Sequence, residues 1–284
     1  MLFCRDFSNI LIQSCGYEIR KWNLNLKFLK TYNTIDTNVK SCLFINYCQK
    51  GNLEFVKFLW HMGVDVTTEY KKTIDFASKY HHFEVIKFLV ERGVNSATWG
   101  NYAIRMASIN GNLECVKFLL KNKVNLSVYD VETFIETIKN GHLKVVKLLV
   151  KKGININIMD NLALRVASMH GHFKIVKYLI RKGADVNSND NLALQLACAQ
   201  GHSSVVEFLI KHGAKIDVKN NYALRLACGN NHFRIIRVLI ENGANIKVTN
   251  NYLYNWINNK NNTKFIKYLV SKGVKKPINC CIII

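Results

Sequence analysis

The sequence predicts an all-α solenoid, a row of short helix–turn–helix units in which each unit completes its neighbour's core. Three observations carry this. The stretch GHLKVVKLLVKKGININ from Gly141 recurs as GHFKIVKYLIRKGADVN from Gly171 and as GHSSVVEFLIKHGAKID from Gly201, thirty residues apart each time. Two mostly glycine columns, twelve residues apart, keep that register through eight copies without an insertion. Between them lies an apolar run with helical rather than alternating spacing.

One copy shows how each element arises. Asp160-Asn161 precede NLALRVASMH and suit a helix cap, because their side chains accept from free backbone N–H groups. Leu164, Ala167 and Ser168 then recur at helical spacing, giving a short first helix with a small-residue face. The column Gly51, His81, Gly111, Gly141, Gly171, Gly201, Asn231, Asn261 ends that helix in a left-handed residue, which Gly adopts freely and Asn nearly as well. A second helix, about 173–182, turns Phe173, Val176, Leu179 and Ile180 inward, and Arg181 and Lys182 suit its negative end. The column Gly63, Gly93, Lys123, Gly153, Gly183, Gly213, Gly243, Gly273 stops it, and ADVNSND leads to the next cap. One pair cannot bury its apolar face alone, whereas stacked pairs can.

Along the chain this assigns 1–40 to a degenerate N-terminal cap, 41–274 to eight repeats and 275–284 to a tail. Thr137 stands where other copies have alanine, and Lys123 in a glycine column costs about 1 kcal/mol if φ is positive there. A local irregularity is therefore expected near 123–138. The end copies carry Tyr47 and Ile257 at the alanine column, which units with one neighbour tolerate.

The G-H-x-x-V-V-x-x-L-x-x-x-G-A-D pattern, nearly complete at 171–185, and the preceding L-x-x-A of Leu164–Ala167, Leu194–Ala197 and Leu224–Ala227 resemble the ankyrin repeat. The resemblance implies an ankyrin-repeat solenoid whose function is protein–protein recognition through a concave groove and inter-repeat fingers. The usual period is 33 residues with Thr-Pro-Leu-His opening the first helix. Here pairs such as Leu162-Ala163 replace Thr-Pro, and the His becomes Asp75, Arg105, Arg165, Gln195 or Arg225. The missing three residues fall in the finger, which is expected to be shortened or looped. The thirty-residue form, with D-N-x-A-L-R-x-A-S and an Asn/Lys/Ile-rich composition, looks most like ankyrin-repeat proteins of giant amoeba-infecting viruses.

A solenoid spreads side chains along a line, so a converging catalytic set is not expected. His82, His142, His172, His202 and His232 follow the first glycine column and read as turn residues; Cys198 and Cys228 read as core fillers. No catalytic residue, metal site or cofactor is assigned. Nine cysteines without framework spacing point to a reducing, intracellular compartment, and no signal peptide or membrane-spanning run is recognised. A monomer is expected, there being no coiled-coil heptad.

Binding residues are sought where copies differ. The finger column reads Glu69, Trp99, Tyr129, Met159, Asn189, Lys219, Thr249, whose large side chains either meet a partner or fold back onto the stack with the shortened finger, and the pair before the first glycine column includes Ile109 and Met169. Trp99, Tyr129, Met159, Ile109 and Met169 would make an apolar patch, and Lys219 belongs to a basic third, so the expected guest is a protein segment with apolar anchors followed by acidic residues, for a viral chain a host factor. Forty Lys/Arg against nineteen Asp/Glu, formally +21, support a competing reading in which the basic surface meets nucleic acid or anionic membrane non-specifically. Its basis is the second-helix column Lys57, Lys87, Lys117, Lys147, Lys177, Arg237, Lys267, broken by Glu207; without an aromatic platform it is expected to be a solvated face and nucleic acid is not the expected partner. The tail ends Cys281-Ile282-Ile283-Ile284, which reads either as an apolar tail covering the last repeat or as a layout for prenylation of Cys281, with Lys272, Lys275 and Lys276 upstream and an unusual terminal Ile, which would tether the chain to a membrane.

Overall fold

The glycine columns act as helix stops, and within each of the chain's two units the helices they delimit pack as two layers. The computed structural model describes residues 36–64, 70–92, 97–121, 131–246 and 263–273, and no strand occurs among them. The chain divides into two units, residues 1–130 and 131–284.

The first unit holds α1 (Thr37–Lys50), α2 (Leu53–His61), α3 (Tyr70–Lys79), α4 (Phe83–Glu91), α5 (Ala97–Ile109) and α6 (Leu113–Lys121). Asp36 caps α1 by accepting from the Asn38 N–H at 2.7 Å, and Gly51 ends it at φ 70. The first helices α1, α3 and α5 lie side by side, with α2, α4 and α6 as the second layer. Phe44, Leu59, Ile74, Ile86, Leu89, Ile104 and Leu119 are buried between them, each worth roughly 1.5–3 kcal/mol.

The second unit holds α7 (Val131–Lys139), α8 (Leu143–Lys151), α9 (Ile158–Met169), α10 (Phe173–Arg181), α11 (Ser188–Gln200), α12 (Ser203–Lys211), α13 (Val218–Gly229), α14 (Phe233–Glu241) and α15 (Thr263–Ser271). First helices α7, α9, α11 and α13 pack in sequence, as do second helices α8, α10, α12 and α14. Ala163, Ala167, Ala193, Ala197, Ala223 and Ala227 are all buried where first helices meet, so the small-residue face sets how closely they approach.

Two expectations are corrected. On α10 the inward stripe is Ile175, Val176 and Leu179, while Phe173 and Ile180 are half-buried. Phe173 lies edge-on to Phe208 at 5.4 Å, within the second layer rather than under it. Asp160-Asn161 do not cap α9. Met159, Asp160 and Asn161 form a left-handed turn with φ of 49, 53 and 57, and no side chain caps the helix start. The same turn recurs at Asn189, Asp190, Asn191 and at Lys219, Asn220, Asn221.

Thr137 is buried without distortion: α7 is continuous, and the Thr137 hydroxyl donates to the Thr133 carbonyl at 2.7 Å. Residues 1–35, Lys123, Tyr129, Ile257 and the tail with Cys281 lie outside the described residues, as does the side chain of Trp99.

Candidate interaction surface

A binding surface needs a frame that does not yield, and two sets of side chains supply it. The first is the histidine column. His82 Nε2 reaches the Gln49 carbonyl at 2.9 Å, His172 the Lys139 carbonyl at 2.7 Å, His202 the Met169 carbonyl at 2.9 Å and His232 the Ala199 carbonyl at 3.0 Å. A carbonyl only accepts, so in each case Nε2–H donates. Each ring thus ties a second-helix start to the end of the first helix of the previous repeat, 33 residues earlier. It also lies over the preceding glycine: a Cβ on Gly171 would stand 2.5 Å from His202 Nδ1, and one on Gly141 2.7 Å from His172 Cε1. These glycines are needed for positive φ and for the room the ring takes.

The second set is asparagine. Asn161 Oδ1 accepts from the Asp185 N–H at 3.1 Å, Asn191 from Lys215 at 3.0 Å and Asn221 from Asn245 at 3.1 Å. Asn187 adds a bridge, accepting from the Lys215 N–H at 3.1 Å and donating to the Gly213 carbonyl at 3.0 Å. Left-handed φ suits Asn and Asp but not Met159 or Lys219, at a cost of about 1–2 kcal/mol each. Arg165 Nη2 donates to the Met159 carbonyl at 2.9 Å, Gln195 Nε2 to Asp190 at 2.6 Å and Arg225 Nη2 to Lys219 at 3.1 Å, holding each turn closed. This gives Arg165, Gln195 and Arg225 a role that the sequence did not reveal.

What the frame presents differs between units. In the second, Met159 is 61 % exposed, so its side chain is not folded onto the stack. Met169 is 38 % exposed at the end of α9. Beside it His170 stacks on His172 at 6.2 Å, and burial, then His172 and Lys139, hold its imidazole below the ordinary value. Lys219 Nζ pairs with Asp190 at 2.9 Å across adjacent turns, both side chains remaining solvated. Tyr222 is exposed with the Arg225 guanidinium 5.1 Å from its ring centroid, an aromatic-cationic pair that the column comparison missed because Tyr222 occupies a helix-opening position. In the first unit Ile109 is half-buried, and among the described residues the exposed large apolar side chain is Tyr80, with Lys79 Nζ 6.0 Å from its ring centroid. Trp99 and Tyr129 lie outside what can be placed on this surface.

Among the described residues no group of three His, Cys, Asp or Glu side chains is arranged to hold a metal ion. Cys48, Cys115, Cys198 and Cys228 are buried and free, and burial alone pushes their thiols up, Cys115 and Cys228 to about 12. Such thiols are unreactive. No described helix is long and apolar enough to cross a membrane.

Comparison with known proteins agrees with the geometry. A family model for ankyrin repeats in three copies matches residues 74–160, 104–190 and 159–220, and a model for a single ankyrin repeat matches 219–248. The human ASB11 ankyrin repeat domain superposes with a TM-score of 0.54 at 22 % identity, covering 61 % of this chain and 85 % of that one. No curated protein matches the sequence. At that identity the structural likeness establishes the fold, while the family models span more than half of the sequence. Repeat register, helix pairs and family models agree: the chain belongs to the ankyrin-repeat family.

Proposed function

We propose that this chain is a non-catalytic adaptor that captures a protein partner on the first-helix ends and the left-handed turns between repeats. Ankyrin repeats are in general protein–protein interaction scaffolds, and the family is typically non-catalytic. The observation that carries the reading is the exposure of Met159, Met169 and Tyr222 on a frame whose histidines and asparagines are committed to holding repeats together. Methionine and aromatic side chains are what interface cores favour, and a rigid frame lowers the ordering cost of binding. Lys219 and Arg225 beside them suit acidic residues flanking a partner's apolar anchors. Trp99, Tyr129 and Ile109 belong to the same reading in the first unit. The partner is intracellular, and a host factor if the resemblance to viral ankyrin-repeat proteins holds.

Affinity capture from eukaryotic lysate, with nuclease and at moderate salt, tests this. A defined protein should be retained by the parent chain and lost at least tenfold from a Met159→Ala, Met169→Ala, Tyr222→Ala variant whose thermal unfolding is unchanged. Equal retention by the variant would place the contact elsewhere and sink the assignment.

A further inference from the structure

We propose that the outer face of α8 and α10 is a second surface, which holds duplex nucleic acid through its phosphates without reading sequence. It is independent of the protein-capturing surface. The second-helix column of basic residues was expected to be a solvated face, and on α8 and α10 that solvated charge is concentrated without an acid among it. The segment 143–152 carries Lys144, Lys147, Lys151 and Lys152, the segment 173–182 carries Lys174, Lys177, Arg181 and Lys182, and neither contains an acid. Seven of the eight are exposed and Lys177 is half-buried. Among the described residues none of the eight is ion-paired, whereas on the following second helices Arg234 meets Glu207 at 3.0 Å and Arg237 meets Glu241 at 2.8 Å.

The spacing makes a patch. Lys144, Lys147 and Lys151 are three and four residues apart and share one helix face; Lys174, Lys177 and Arg181 repeat that register. Because α8 packs directly on α10, the two rows run side by side about 10 Å apart, each roughly 10 Å long. Lys147 Nζ lies 5.7 Å from the Tyr178 ring centroid, bridging the rows. A patch of that size is comparable with the ~8 Å Debye length of physiological salt, so its charges act on a polyanion together.

Residue type selects the partner. Lysine is depleted from protein interfaces and behaves as a hydrated point charge, which suits phosphates met at any angle. Anionic membrane would be expected to engage apolar side chains as well, yet the exposed large hydrophobics, Tyr80, Met159, Met169, Tyr222 and Val270, all lie off α8 and α10. Single strands need stacking platforms, and Tyr178 is half-buried. A duplex bound through its backbone is what remains.

The test is fluorescence anisotropy of the full chain with two labelled duplexes of about 20 base pairs and unrelated sequence, across roughly 50–200 mM salt. Both duplexes should bind alike. Replacing Lys144, Lys147, Lys174 and Lys177 by Gln should flatten the log–log salt slope by about 3–4 and weaken binding at low salt at least tenfold. Replacing the same four by Arg should retain binding, which separates charge from folding. A control with Lys71, Lys121, Lys215 and Lys272 changed to Gln, matched in net charge, should bind nearly as the parent does. Equal loss in that control, no duplex binding by the parent, or a tenfold preference for one duplex would each overturn the proposal. So would binding of phosphatidylserine vesicles that depends on the four lysines while duplex binding does not.

Discussion

Substituting Gly171 by Ala probes the histidine column directly, because two costs are combined there and can be separated. The residue sits at φ 69, where an added Cβ costs about 1–2 kcal/mol from backbone strain alone. That Cβ would also stand 2.5, 2.6 and 2.8 Å from His202 Nδ1, Cε1 and Cγ, so the ring must leave. Leaving forfeits the 2.9 Å bond to the Met169 carbonyl, worth about 0.5–1.5 kcal/mol net. Gly171→Ala should therefore destabilise by about 1.5–3.5 kcal/mol. Gly183→Ala, at φ 92 with nothing within 4 Å of the built Cβ, should cost the strain term only, about 1–2 kcal/mol. In the double variant Gly171→Ala, His202→Ala the ring is already gone, so the total should fall short of the sum by about 1 kcal/mol. Urea unfolding followed by circular dichroism reads the parent, the single variants Gly171→Ala, Gly183→Ala and His202→Ala, and the double, with native-state hydrogen exchange at 171–205 as a local check. Additive costs, or equal costs at Gly171 and Gly183, would refute the ring-over-glycine argument.

The asparagine ladder makes a graded prediction. The Asp185 N–H is held by Asn161, whereas the Lys215 N–H has both Asn191 and Asn187 as acceptors, so Asn161→Ala should cost about 1 kcal/mol more than Asn191→Ala by chemical unfolding. The reverse order would show that Asn187 does not substitute for Asn191. Alkylation at pH 8 followed by peptide mass spectrometry should modify the exposed Cys42 and leave Cys48, Cys115, Cys198 and Cys228 unmodified until denaturant is added, since burial raises those four thiols well above the working pH. Rapid native labelling of Cys198 would mean that α11 opens locally.

Much of the fold was legible because a stack of like units imposes like demands on equivalent positions. The glycine columns announce positive φ, and Gly51, Gly141, Gly171, Gly201, Gly153, Gly183 and Gly213 all have it. Asn231 and His81 take the same conformation, at φ 62 and 60. The alanine column announces close helix contact, and Ala167, Ala197 and Ala227 are buried completely. Of the candidate site, Met159, Met169 and Lys219 are exposed, and Tyr222 stands outside the columns that were compared.

What the sequence determined by itself was the repeat: its period, its two helices, its stops and its buried stripe, since each follows from local geometry and from neighbours of the same kind. Tertiary structure alone decided how one repeat grips the next. Asn161 read as a cap, yet its side chain turns away from its own helix to a backbone N–H 24 residues on, and His202 reaches a carbonyl 33 residues back. Comparing copies at a period of thirty aligns each residue with its equivalents and never with such partners, which stand at other positions in the neighbouring unit. The physical reason is that a backbone carbonyl or N–H leaves no trace in residue type. A column shows that a histidine or asparagine is wanted, and the folded stack shows what it holds.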